Sequence, residues 1–175
     1  SSDVYDQQPP LSSAGQISLP AVISQIVDIK ERNDILLSLI EQTLLSGRKV
    51  IILSERRKHC EYLLNSLPST ITSEYSCGLY MGGMKQNVLK QNESCDAIFA
   101  TYSLAHEGLD IPTLNTLIMA TPKTDVVQSC GRILREAGQR SFHPLIYDII
   151  DSYASLPNQS KKRQAFYKQS GFKII

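Results

Sequence analysis

Apolar positions along the chain fall into short blocks of two kinds. The first kind recurs every three or four residues. In 33–46, NDILLSLIEQTLLS, this spacing predicts a helix, with Asn33 or Asp34 as its cap and Gly47 as its end. Residues 56–66 (RRKHCEYLLNS) predict a second helix, with Leu63 and Leu64 turned inward, and 84–91 a short third. The second kind is a compact run bounded by polar or turn residues. Such runs are 49-KVIIL-53, 75–80 (YSCGLY), 96-DAIFAT-101, 115-NTLIMA-120 and 143–150, and each predicts a strand. The turn 81-MGGM-84 follows the second strand, and Pro122 stops the fourth. A helix is predicted from about Thr124 to Glu136, ending before Gly138. A basic helix is predicted over 158–170, with 171-GFKII-175 as an extended end.

Strands that alternate with helices predict an α/β fold with a mainly parallel sheet covered on both faces. In such folds ligands sit beyond the carboxyl ends of the strands. The residues directly after the strands are therefore the candidates for function: Ser54-Glu55-Arg56, Gly82-Gly83, Thr101-Tyr102-Ser103 and Thr121. Small hydroxyls and exposed backbone N–H groups suit contacts to phosphate, which position a strand without reading its bases. Residues 1–20, rich in Ser, Gln and Pro, read as a flexible linker, 21–157 as one domain, and 158–175 as a basic helix and tail packed on or near it.

Composition narrows the picture. At 175 residues and 42 % apolar content the chain suits one globular domain. Its formal charge of +1 means that any nucleic-acid surface is local. The four cysteines form no CxxC pair, which argues against a zinc site and a disulfide framework and suits a reducing compartment. No apolar run is long enough for a transmembrane helix, and residues 1–20 do not read as a signal peptide. An intracellular protein is expected, so the glycosylation patterns at Asn92 and Asn158 read as chance.

Two stretches carry specific chemistry. In 128-QSCGRILRE-136, Gln128, Arg132 and Arg135 are four and three residues apart, which places an amide and two guanidinium groups on one helix face. The other is 100-ATYSLAHEGLDIP-112. The order strand, glycine-acid loop, strand, arginine helix resembles the second RecA-like domain of superfamily 2 helicases and translocases. T-x-x-x-A-x-E-G-L-D-I-P resembles their motif V, and Q-x-x-G-R-x-x-R resembles motif VI. KVIILS and YMGGM stand where motif IV and its following glycine loop fall. GRILR and the ending YKQSGFKI are similar to the branch with repair and transcription helicases, including those of large DNA viruses. The likeness covers roughly 35–150.

The resemblance implies a RecA-like three-layer sandwich and an ATP-dependent helicase. Arg132 and Arg135 would act as arginine fingers toward the γ-phosphate, and Gln128 would orient water or the arginines. Gly108 and Asp110 would face the nucleotide. Ser54, Arg56, Gly82, Gly83, Thr101, Ser103 and Thr121 would contact the nucleic-acid backbone, DNA or RNA. The chain has no GxxxxGK[ST] loop and no Asp-Glu box. ATP and Mg2+ would therefore be held mainly by an N-terminal RecA-like domain of the same polypeptide, and this chain alone would be inactive. The implied setting is cytoplasm or nucleus, a virion or a viral replication site, with no membrane partner. The rival readings are a stand-alone nucleic-acid or protein-binding scaffold with no ATPase role, and a doubly wound enzyme for a small phosphorylated ligand.

Some residues stay open. Arg56, Arg57, Lys58 and His59 form a charge run at a helix start, where positive charge opposes the helix dipole, which hints at a phosphate. Lys161, Lys162, Arg163, Lys168 and Lys173 either meet a duplex or form a solvated face. Tyr80, Tyr102 and Tyr167 are candidates for stacking on bases, and Tyr147 for the core. His106 beside Glu107 lacks an evident nucleophile for acid–base chemistry.

Overall fold

The computed structural model describes residues 6–108, 111–123 and 142–175. Its described elements are α1 (Leu19–Ile26), α2 (Lys30–Leu45), β1 (Val50–Ser54), α3 (Arg57–Asn65), α4 (Ser69–Glu74), β2 (Cys77–Tyr80), α5 (Gln86–Asn92), β3 (Ala97–Thr101), α6 (Tyr102–Gly108), β4 (Thr116–Met119), β5 (Leu145–Asp148) and α7 (Leu156–Gln169). The strands form one sheet in the order β2-β3-β1-β4-β5, and every neighbouring pair is parallel. The α/β class expected from the pattern is thus the observed one.

Every residue of β1, β3 and β4 is buried. This is why these strands read as continuous apolar runs rather than alternating ones. Successive side chains still go to opposite faces. Ile51, Leu53, Ile98, Ala100, Leu117 and Met119 share one core with Tyr80, Tyr102 and Tyr167. Val50, Ile52, Ala97, Phe99 and Ile118 join the other, against Leu36, Ile40 and Leu44 of α2 and Cys60 and Leu63 of α3. A third small cluster packs Val22, Ile26 and Ile29 on Tyr153 and Leu156.

Local differences from the sequence reading have physical causes. The chain is helical from Leu19, inside the predicted linker, and Pro20 is tolerated in the first turn of α1, where its missing N–H costs nothing. α2 starts at Lys30, so Asn33 is a buried interior residue and not the cap. Residues 69–74 and 102–108, unassigned or read as loop, are helices. The predicted end of α2 holds: Gly47 has φ +74°, and the N–H groups of Gly47 and Arg48 bond Leu44 O and Thr43 O at 2.8 and 3.3 Å. The helix predicted from Thr124 to Glu136 lies outside the described residues.

Two buried ion pairs tie the helices to the sheet. Arg32 of α2 donates to both carboxylate oxygens of Asp151 at 2.8 and 3.0 Å and to Ala120 O at 2.6 Å. Arg163 of α7 donates to both oxygens of Asp148 at 2.8 Å, and Tyr167 adds a bond at 3.2 Å.

Candidate nucleic-acid edge

The parallel register brings the strand ends level. Ser54 is opposite Thr101, Tyr80 opposite Ala100, and Leu53 opposite Met119. The candidate residues that follow the strands therefore line one edge of the sheet. The edge divides them into an exposed set and an interior set.

Gly82 and Gly83 are exposed in the turn after β2, and Gly83 has φ +84°, a conformation that side-chain-bearing residues resist. The exposed Arg57, first residue of α3, donates to Gly82 O, so it joins the glycine turn to the end of β1. Thr101 ends β3 and is buried, but its hydroxyl lies 3.3 Å from that of the exposed Ser103. Glycine N–H groups, two hydroxyls and a guanidinium thus lie on one edge.

Ser54 and Thr121 are fully buried. Thr121 Oγ1 accepts from Glu55 N–H at 2.8 Å, and its carbonyl accepts from Tyr102 O–H at 2.7 Å. Ser54 Oγ accepts from Arg56 N–H at 3.1 Å and lies 3.0 Å from His59 Nδ1. These two hydroxyls brace the loops instead of facing a strand. Arg56 is tied down as well. Its guanidinium donates to Pro20 O at 2.6 Å and Ser24 Oγ at 3.3 Å, latching α1 to the end of β1.

His59, the last residue of the charge run at 56–59, is neutral. It is buried, and burial together with the nearby Arg32 guanidinium lowers its pKa to about 4. Asn33 Nδ2 donates to Val27 O at 2.8 Å, which leaves Asn33 Oδ1 to accept from His59 Nε2–H at 2.9 Å. His59 Nδ1 then accepts from the Ser54 hydroxyl. Burial also pushes the Cys60 thiol up to about 12, so it is not a nucleophile.

The stacking candidates are corrected. Tyr80, Tyr102 and Tyr167 are buried in the core, with hydroxyl partners on Glu93, Thr121 and Asp148 respectively. Tyr147 is half-buried against the second core, as expected. The basic tail is corrected too: Arg163 is an interior residue, while Lys161, Lys162, Lys168 and Lys173 are exposed. The interior roles of Arg32 and Arg163 escaped the sequence reading. Their signal is their place on a buried helical stripe, 32-36-40-44 in α2 and 156-160-163-167 in α7.

Gly108 closes α6. Asp110, Gln128, Arg132 and Arg135 lie outside the described residues. Among the described residues no group of three His, Cys, Asp or Glu is placed to hold a metal. No described helix is long and apolar enough to cross a membrane.

The five-stranded parallel sheet with helices on both faces is RecA-like. The crystal structure of T4 UvsW superimposes with a TM-score of 0.69 at 18 % identity, over 90 % of this chain and 36 % of that one. Residues 31–137 match the family described as "Helicase conserved C-terminal domain", and the chain belongs to that family. Its relatives include a "Putative ATP-dependent RNA helicase" of Acanthamoeba polyphaga mimivirus, 36 % identical over 87 % of this chain and 30 % of the relative. A protein of the same name from African swine fever virus is 28 % identical over 72 % of the chain and 26 % of the relative. The chain thus spans less than a third of the length of these relatives.

Proposed function

We propose that this chain is the C-terminal motor domain of an ATP-dependent nucleic-acid helicase or translocase of a large DNA virus. Gly82, Gly83, Arg57, Thr101 and Ser103 contact the strand backbone, with Ser54 and Thr121 bracing the loops behind them. Arg132 and Arg135 act as arginine fingers on ATP, and Gln128 orients water or the arginines. Gly108 and Asp110 face the nucleotide. ATP and its Mg2+ are held by an N-terminal RecA-like domain of the same polypeptide. The protein works inside the infected cell or in the virion.

The observation that carries this reading is the level sheet edge. It collects two exposed glycines, the exposed Ser103 hydroxyl beside that of buried Thr101, and the exposed Arg57, while Glu55 after β1 is paired with Lys123. Such an edge contacts phosphates and ignores sequence, which suits a motor. A finger delivered by a second domain engages only when the domains close. Hydrolysis then depends on a geometry that a bound strand can set.

The test is Arg57→Glu in the full-length protein. Single-strand affinity should fall about tenfold, and the slope of log affinity against log salt should flatten by roughly 0.7, one phosphate contact on a single strand. Wild-type affinity and slope would remove this edge from the reading.

A further inference from the structure

A groove of ≈ 460 Å³ lies beside the glycine-turn edge, between α1, the start of α2, and α3. Its size is within the range of about 300–1,000 Å³ typical of small-ligand sites. Four features describe its chemistry. Its floor is neutral and satisfied: His59 and Asn33 bond each other, and Asn33 also bonds Val27 O. Its rim carries Lys30, Arg56 and Lys58 against a single lining acid, Asp28. Lys58 is exposed and has no acidic partner among the described residues. Tyr62 is 45 % exposed on the wall, unlike the buried Tyr80, Tyr102 and Tyr167.

The groove is continuous with the proposed strand path. Arg56, Arg57 and Lys58 are consecutive at the start of α3. Arg57 reaches Gly82 in the glycine turn, whereas Arg56 and Lys58 line the groove. A strand that leaves the glycine turn along this basic ridge meets Tyr62 one helical turn beyond Lys58, on the same face. Alternation of cations with an accessible aromatic ring is the arrangement that holds unpaired bases. Lys30 pairs with Asp34 at 2.6 Å, in an exposed i,i+4 contact that a phosphate can displace.

We propose that this groove is a single-strand subsite, in which one unpaired base stacks on Tyr62 and its phosphate is held by Lys58 and Lys30. A paired base offers no free face to Tyr62, so the subsite distinguishes single strand from duplex. Arg56 contributes charge while it anchors α1 to the groove. The inference rests on the nucleic-acid reading of the neighbouring edge.

The test uses the full-length protein and oligo(dT) and oligo(U) of graded length, with affinity read by fluorescence anisotropy. Tyr62→Ala should lower affinity about 5- to 150-fold, the range of one base–aromatic stack, but only for oligonucleotides long enough to reach the groove. Tyr62→Phe should retain affinity. Lys58→Gln should flatten the salt slope by roughly 0.7 for the long oligonucleotides alone. Oligonucleotides carrying 4-thiouridine should crosslink to Tyr62, as mapped by mass spectrometry. Equal weakening at every length would mean a structural role and overturn the subsite, as would absence of the crosslink. If Arg57→Glu weakens binding at every length and Tyr62→Ala at none, the edge stands and the groove falls. If the wild-type protein binds no oligonucleotide, both readings fall.

Discussion

Replacing Arg32 by Met should destabilise the domain by about 3–5 kcal/mol. Arg32 is 4 % exposed, and its fork reaches three acceptors: both oxygens of Asp151 and the carbonyl of Ala120. Met fills much of the same volume with no polar atom to donate. The Asp151 carboxylate, 4 % exposed, then loses both guanidinium bonds inside the protein. Breaking a buried pair from one side costs about 3–5 kcal/mol, because the remaining charge stays desolvated. At roughly 2–4 °C per kcal/mol for a domain of this size, the melting temperature should fall by about 6–20 °C. Urea unfolding followed by circular dichroism measures the loss as a lower midpoint at unchanged slope. The double variant Arg32→Met/Asp151→Leu should recover much of it, since replacing both partners by apolar groups is often neutral. A single variant within about 1 kcal/mol of wild type would refute the assignment of this pair as a structural tie.

Other positions allow equally direct tests. Gly78→Ala should cost roughly 1–3 kcal/mol by urea unfolding, because a Cβ there would lie 2.8 Å from Asn92 Cγ and 3.0 Å from Cys95 Sγ. His59 is neutral in the fold, with its pKa lowered from 6.5 to about 4, so the unfolded chain binds the extra proton. Its contribution is fully present above pH 6.5 and falls, by on the order of 3 kcal/mol, as pH drops from 6.5 toward 4. A stability-against-pH profile of His59→Gln should lack that slope. The isolated 175-residue domain should show no ATP hydrolysis above background in a phosphate-release assay, because its sequence has no phosphate-cradling loop.

The sheet was legible because β1, β3 and β4 are buried on both faces, so each is a short unbroken apolar run with polar stops. The shared edge followed from that, since the carboxyl ends of parallel strands lie on one side of the sheet. What escaped depends on distance in the chain. Arg32 meets Asp151 across 119 residues, and no local pattern couples them. Ser54 and Thr121 suit phosphate contacts as small hydroxyls after strands, yet both are buried and each accepts a nearby backbone N–H. The tyrosines misled for a related reason. A phenol with a hydroxyl partner inside the protein is as easily buried as it is stacked on a base. Helix α6 was missed because EGLD reads as a loop, while Tyr102 and Ala105 anchor the preceding turn in the core.

We propose that the chain completes an ATPase built across two domains. Steady-state ATP hydrolysis by full-length Arg135→Ala, at saturating nucleic acid, tests it most directly. kcat should fall by about 10³ or more, with nucleic-acid affinity and melting temperature unchanged, because a finger acts on charge that develops in the transition state. Arg135→Lys should recover little, since an ammonium cannot reproduce the guanidinium fork. Turnover near wild type in Arg135→Ala would remove the finger role from the 128–136 stretch.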